Sequence, residues 1–181
     1  MKLRNLIEAT EYKIYCDMDG VLTDFSKDFI LLAREKKMVS VGEGEVPNNA
    51  AAKWEKKHGS EEFWKLVASG GVKFWSDMSW HTGGKKLWSY LKRREVKILS
   101  APSKRVVQAC IKGKKIWIQK NLGNIDAVFK FREQKKELAK PNAILIDDLK
   151  SNIRDWNAAG GTGILHRNTS NTIGQLKELG L

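Results

Sequence analysis

The sequence predicts an α/β fold: a Rossmann-like parallel sheet with helices on both faces and a helical cap inserted after the first strand. Three observations predict it. Short apolar, β-prone runs alternate with longer amphipathic stretches, and three of those runs end in polar residues suited to one site. About 70 residues separate the first two runs, far more than a simple crossover needs. Residues 1–24 and 95–181 are therefore expected to form the core, and 25–94 the cap.

The first strand is read at 12–16, ending at Asp17. Within the cap, helical periodicity covers 28–37, 49–57 and 60–68, with Ser60 ahead of Glu62 and Phe63 as a helix start. The Gly- and Pro-bearing stretch 41–47 separates the first two of these helices, and Gly83 and Gly84 mark the return before a helix at 85–91. The second strand is 96–99, ending at Ser100 and followed by a helix at 103–122. A weaker strand at 127–129 leads to a helix at 132–139. The fourth strand, 143–146, ends at Asp147-Asp148 and leads to a helix at 149–159; a short fifth, 163–165, leads to one at 171–179. Ligands of such sheets bind at the carboxyl ends of the strands, so Asp17, Asp19, Ser100, Asp147 and Asp148 are expected to face one crevice.

Composition narrows the class. With 41% hydrophobic and 30% charged residues and only three prolines in 181, a disordered or collagen-like chain is excluded. The start, Met1 to Glu8, reads as no secretory signal, and no run approaches the roughly 18 apolar residues of a membrane span. Cys16 and Cys110 stand far apart without metal-ligand spacing and read as packing residues, which points to a reducing, cytoplasmic setting. The net charge of +12 suits an anionic partner, whether nucleic acid, a membrane surface or a small phosphorylated substrate, and charge alone does not choose among them.

The first polar strand end reads Asp17-Met18-Asp19-Gly20-Val21-Leu22-Thr23-Asp24-Phe25. With Ile98-Leu99-Ser100-Ala101-Pro102-Ser103 and Ile144-Leu145-Ile146-Asp147-Asp148, in that order and each after an apolar run, the chain resembles the haloacid dehalogenase superfamily of phosphatases over residues 12–166. Within it the sequence is most similar to the 5'(3')-deoxyribonucleotidase group, including Gly113-Lys114-Lys115-Ile116-Trp117 and Asn121-Leu122-Gly123. The resemblance implies a fold with a haloacid dehalogenase-like core, and an Mg²⁺-dependent phosphatase acting on nucleoside monophosphates through an aspartyl-phosphate. It also suggests a homodimer.

A carboxylate attacking a phosphate monoester must overcome repulsion between two anions, so it needs a cation and fixed donors. Asp17 is the expected nucleophile, and Asp19 the group that protonates the leaving oxygen and then deprotonates water. Asp17, the Asp19 main-chain carbonyl, Asp147 and Asp148 offer the all-oxygen set Mg²⁺ prefers. Ser100 is the expected hydrogen-bond donor to a phosphoryl oxygen, with Ala101 beside the substrate. The family places a phosphate-binding lysine before the last motif; Lys136 is the first choice, Lys135 the second, and Lys140 a third.

Phe63, Trp64, Phe74, Trp75 and Trp80 crowd the cap, where they either pack its core or stack on a nucleobase. Phe25, at the cap entrance, is the best stacking candidate, with Trp64 and Trp75 next. Trp54, Trp88, Trp117 and Trp156 read as core, and His58, His81 and His166 as single residues without a catalytic role. Two alternatives stand beside the nucleotidase: a phosphatase of DNA or RNA ends, such as a polynucleotide 3'-phosphatase, and a non-catalytic nucleic-acid-binding protein on the same scaffold.

Overall fold

The computed structural model describes residues 11–38 and 49–181; the expected loop at 41–47 and the first eight residues lie outside them. Five parallel strands are described: β1 (Lys13–Cys16), β2 (Val96–Ser100), β3 (Ala127–Phe129), β4 (Ala143–Asp147) and β5 (Thr162–Leu165). They form one sheet in the order β3-β2-β1-β4-β5. The chain builds outward from β1 to one edge, then crosses back to β4, so the order reverses beside β1, where such sheets open a crevice. Cys16 pairs with Ile98 on one side and Ile146 on the other, which brings the ends of β1, β2 and β4 out along one edge.

The apolar run of β4 is continuous because both faces are covered. Ile144 and Ile146 join the large cluster, whereas Ala143 and Leu145 pack with Leu99, Ile153 and Trp156 on the other face.

Among the described residues, four helices lie between β1 and the return: α1 (Phe25–Glu35), α2 (Ala50–His58), α3 (Ser60–Ser69) and α4 (Gly71–Ser76). Asp24 caps α1, its carboxylate accepting from the Lys27 N–H at 3.0 Å. α4 was not expected, because six residues are too few to show a helical period. The two chain crossings into this insertion are tied together: Asp24 N–H donates to Ser79 O, His81 N–H to Leu22 O, and the Asp28 carboxylate accepts both the N–H and O–H of Ser79 at 2.7 Å.

The return helix α5 (Gly84–Leu91) lies against α8 (Thr169–Glu178): Tyr90 Oη donates to Leu181 O, and Thr169 Oγ1 to Gly83 O. The remaining helices are α6 (Val107–Asn121) and α7 (Lys150–Ala158). α6 begins later than expected because Ser103 spends its hydroxyl on a local turn, accepting from Arg105 N–H. The segment expected as a helix at 132–139 is a 3₁₀ helix, Arg132–Leu138. Trp54, Trp88, Trp117 and Trp156 are buried, as are both cysteines, which are unpaired. No helix among the described residues is long and apolar enough to cross a membrane.

Candidate active site

Asp17 leaves the end of β1 with its N–H on Ile146 O, one strand over, so the backbone ladder itself aims it toward β4. The next turn is tight. The N–H groups of Val21, Leu22 and Thr23 all converge on Met18 O, and Gly20 takes φ +79°. A Cβ at Gly20 would lie 2.5 Å from Asp148 Oδ2, so only glycine lets this turn close over the β4 end.

Three carboxylates meet there. Asp17, Asp147 and Asp148 each offer an oxygen within 4.8 Å of the others. Lys135, 1% exposed, lies between two of them, with Nζ 2.8 Å from Asp17 Oδ2 and 2.7 Å from Asp147 Oδ2. The Asn152 amide donates to both Asp147 oxygens, and Leu149 N–H to one.

Electrostatics separates the roles of these groups. Burial alone raises the pKa of Asp17, but Lys135, Lys114 and the Met18 N–H outweigh it and hold the carboxyl below its usual range. Burial and the charge of Asp17 push Asp147 up to about 6. Burial and the charges of Asp17 and Asp147 push Asp148 up to about 7. Beside burial, both upward shifts have one cause, negative charge that the nearby lysine does not balance. Hard oxygen donors with more negative charge than one lysine neutralises suit a divalent cation of the Mg²⁺ type.

The Asp19 carboxylate takes a different direction, accepting from Lys114 Nζ at 2.7 Å and Thr23 Oγ1 at 3.1 Å. Lys114 also donates to Ser100 Oγ at 2.8 Å and Ala101 O at 2.9 Å. Ser100 is wholly buried, and because its oxygen accepts from Lys114, its own proton remains to be donated.

Above these groups opens a cavity of about 680 Å³. Asp17, Asp19, Lys135 and Asp148 line its floor, and Phe25, Phe63, Trp64 and Trp75 its cap side. Phe25 packs among Phe29, Phe63, Phe74 and Trp75, with centroids 5.6–6.4 Å away. Trp64 is half-buried, and Trp75 is 2% exposed. Lys104, Arg105 and Arg132 line the core side, where Lys104 pairs with Glu133 at 2.7 Å.

The expectation for Lys136 is corrected. A 3₁₀ turn repeats every three residues, which turns Lys135 inward and leaves Lys136 exposed. Sequence reasoning also gave Lys114 no role, although a signal existed: with Cys110, Gly113, Trp117 and Ile118 it lies on the buried face of α6. Asn152 was missed as well. His81 and His166, read as unclustered, meet with ring centroids 6.1 Å apart, and His81 lines the cavity.

The family described as 5' nucleotidase, deoxy (pyrimidine), cytosolic type C protein (NT5C) matches residues 11–175. Among solved structures, a hydrolase from Streptococcus pneumoniae TIGR4 is similar at 12% identity and a TM-score of 0.53, over 92% of this chain and 99% of that one. A haloacid dehalogenase-superfamily hydrolase from Ehrlichia chaffeensis is similar at 15% identity and a TM-score of 0.53, over 93% and 97%. A subfamily IA haloacid dehalogenase-superfamily hydrolase from Geobacter sulfurreducens PCA follows at 11% and 0.51, over 93% and 98%. At these identities the structures speak for the fold. No curated protein is matched.

Proposed function

Because the chain belongs to the family of 5' nucleotidase, deoxy (pyrimidine), cytosolic type C proteins, phosphoric monoester hydrolases of haloacid dehalogenase type, we propose that it releases phosphate from nucleoside monophosphates, as a 5'(3')-deoxyribonucleotidase. One observation carries this reading. An ionised carboxylate, Asp17, stands beside Lys135 and two further carboxyls at the floor of a cavity whose other side is aromatic.

The chemistry follows from these positions. Asp17 forms a bond to phosphorus as the bond to the leaving oxygen breaks, and Asp19 gives that oxygen its proton. Asp19 then takes a proton from water, the water oxygen attacks phosphorus, and the bond to Asp17 breaks, releasing inorganic phosphate and restoring both carboxyls. Lys135 and the Ser100 hydroxyl neutralise and orient the phosphoryl oxygens. Asp17, Asp147, Asp148 and the Asp19 carbonyl would hold Mg²⁺, which supplies the positive charge that lets an anionic nucleophile approach an anionic ester. Phe25 and Trp64 offer faces to a base. A cytoplasmic location and a homodimer belong to the same proposal.

A second reading has one observation in its favour. Arg105 and Arg132 line the cavity's core side, and neither pairs with a carboxylate among the described residues, which suits the backbone of a phosphorylated DNA or RNA end. Family membership removes the non-catalytic reading.

Phosphate release with Mg²⁺ from deoxynucleoside and nucleoside monophosphates, against a 3'-phosphorylated oligonucleotide, separates the two. We expect mononucleotides to be preferred and Asp17→Asn to lose at least about a thousandfold in kcat. Release no higher for the wild type than for Asp17→Asn overturns the mechanism, and preference for the oligonucleotide overturns the substrate.

A further inference from the structure

Lys114 is fully buried, and its three ammonium hydrogens match three acceptors: Asp19 Oδ2, Ser100 Oγ and Ala101 O, at 2.7, 2.8 and 2.9 Å. An indole from the insertion covers it. The ring centroid of Trp75, on α4, lies 5.3 Å from Lys114 Nζ, a cation–π distance. Trp75 reaches that place because α4 sits directly on α6. A Cβ at Gly113 would lie 2.4 Å from Trp75 Cβ and 2.5 Å from Val72 O, so glycine at this position lets the two helices touch backbone to backbone. Gly113 and Lys114 are adjacent, so one contact both seats α4 and closes Lys114 away from water.

We propose that Trp75 is a positioning residue for proton transfer: by covering the Lys114 ammonium it fixes Lys114, and through it Asp19, toward the leaving oxygen. This rests on the reading of Asp19 as the proton donor and deepens it. The physical reason is that an ammonium with water on its open side exchanges partners with that water, whereas one sealed by an aromatic face keeps all three protein acceptors. Asp19 has a second tether in Thr23, which fixes its other oxygen but cannot hold the carboxylate against rotation about that contact. The insertion thus does more than enclose the substrate; its α4 completes the acid site.

The test uses two ester types. An alkoxide leaving group needs the proton from Asp19, whereas p-nitrophenolate departs without one. Trp75→Leu should therefore lower kcat on a nucleoside monophosphate at least tenfold relative to the p-nitrophenolate burst. Trp75→Phe, which keeps an aromatic face, should lose less. Gly113→Ala, which lifts α4 while leaving Trp75 intact, should reproduce the Trp75→Leu pattern and keeps the test open if the leucine variant does not fold. A second readout is independent of turnover: the ¹H–¹⁵N signal of the Lys114 ammonium, protected from exchange in the wild type, should survive in Trp75→Phe and vanish in Gly113→Ala and Trp75→Leu. Equal losses on both esters, a change in KM alone, or an ammonium signal that persists in the folded Gly113→Ala or Trp75→Leu protein overturns the proposal. A wild type that hydrolyses no monoester overturns the functional reading instead, and the ammonium signal still decides the Trp75–Lys114 link.

Discussion

Lys135 and Lys136 are sequence neighbours with opposite environments: one touches two carboxylates, the other faces water. Charge and family context cannot separate them; the turn of the 3₁₀ helix that carries them does. Their difference is testable. Lys135→Met leaves three crowded carboxyls with no cation of the chain between them and should reduce kcat at least about a hundredfold, whereas Lys136→Met should leave it within about twofold. Phosphate release on a mononucleotide checks both. Asp17 and Asp147 were readable because each directly follows an apolar run, with Asp19 and Asp148 just beyond, and the end of a parallel strand is where a polar side chain has reason to be. Lys114 lies within the segment Gly113-Lys114-Lys115-Ile116-Trp117, yet its role depends on which groups meet its ammonium, and those come from the ends of β1 and β2, Asp19 far away in the chain.

At the scale of elements, the sequence located all five strands to within one residue at each end, because a strand buried on both faces is an unbroken apolar run. It missed α4, whose existence depends on the seat that α6 provides. The joint between β5 and α8 carries an electrostatic consequence. Burial and the neighbouring His81 push His166 down to about 4, and its Nδ1 lies 2.8 Å from Thr172 Oγ1. A histidine whose folded pKa is depressed favours the unfolded state as it protonates, so this contribution is present above about pH 6.5 and is lost as pH falls toward 4. Urea unfolding of wild type and His166→Asn across that window should show the wild type losing about 2 kcal/mol more, allowing for partial access of water.

Over the whole molecule, a net charge of +12 surrounds an acidic floor. Surface pairs such as Lys97 with Asp126 and Lys130 with Glu137 cancel in charge, so the surplus lies on other basic residues, Arg105 and Arg132 beside the cavity among them. Within the carboxyl cluster, Asp147 and Asp148 have the opposite sign of pH dependence to His166. With Asp147 pushed up to about 6 and Asp148 to about 7, the folded protein holds protons the unfolded chain has released. Their stabilising contribution is therefore present at acid pH and lost as pH rises through 6 to 7. A divalent cation replaces those protons, so Mg²⁺ should raise Tm more at pH 8 than at pH 5. A hundredfold excess over Kd corresponds to about 2.7 kcal/mol, several degrees for a chain of this size. Scanning calorimetry with and without Mg²⁺ at the two values checks the sign.

By itself the sequence determined the parallel sheet and the hydrolase class, and it put Asp17 and Asp147 at the ends of strands. Apolar period and strand-end polarity are local properties, legible wherever a few adjacent residues must satisfy one environment. Tertiary structure alone decided which lysines serve the carboxylates, that Asp19 is held by Lys114, and that α4 seats on Gly113 to cover it. Each of those depends on which distant groups share a low-dielectric space, and a charge there is fixed by the partners it meets rather than by its neighbours in the chain.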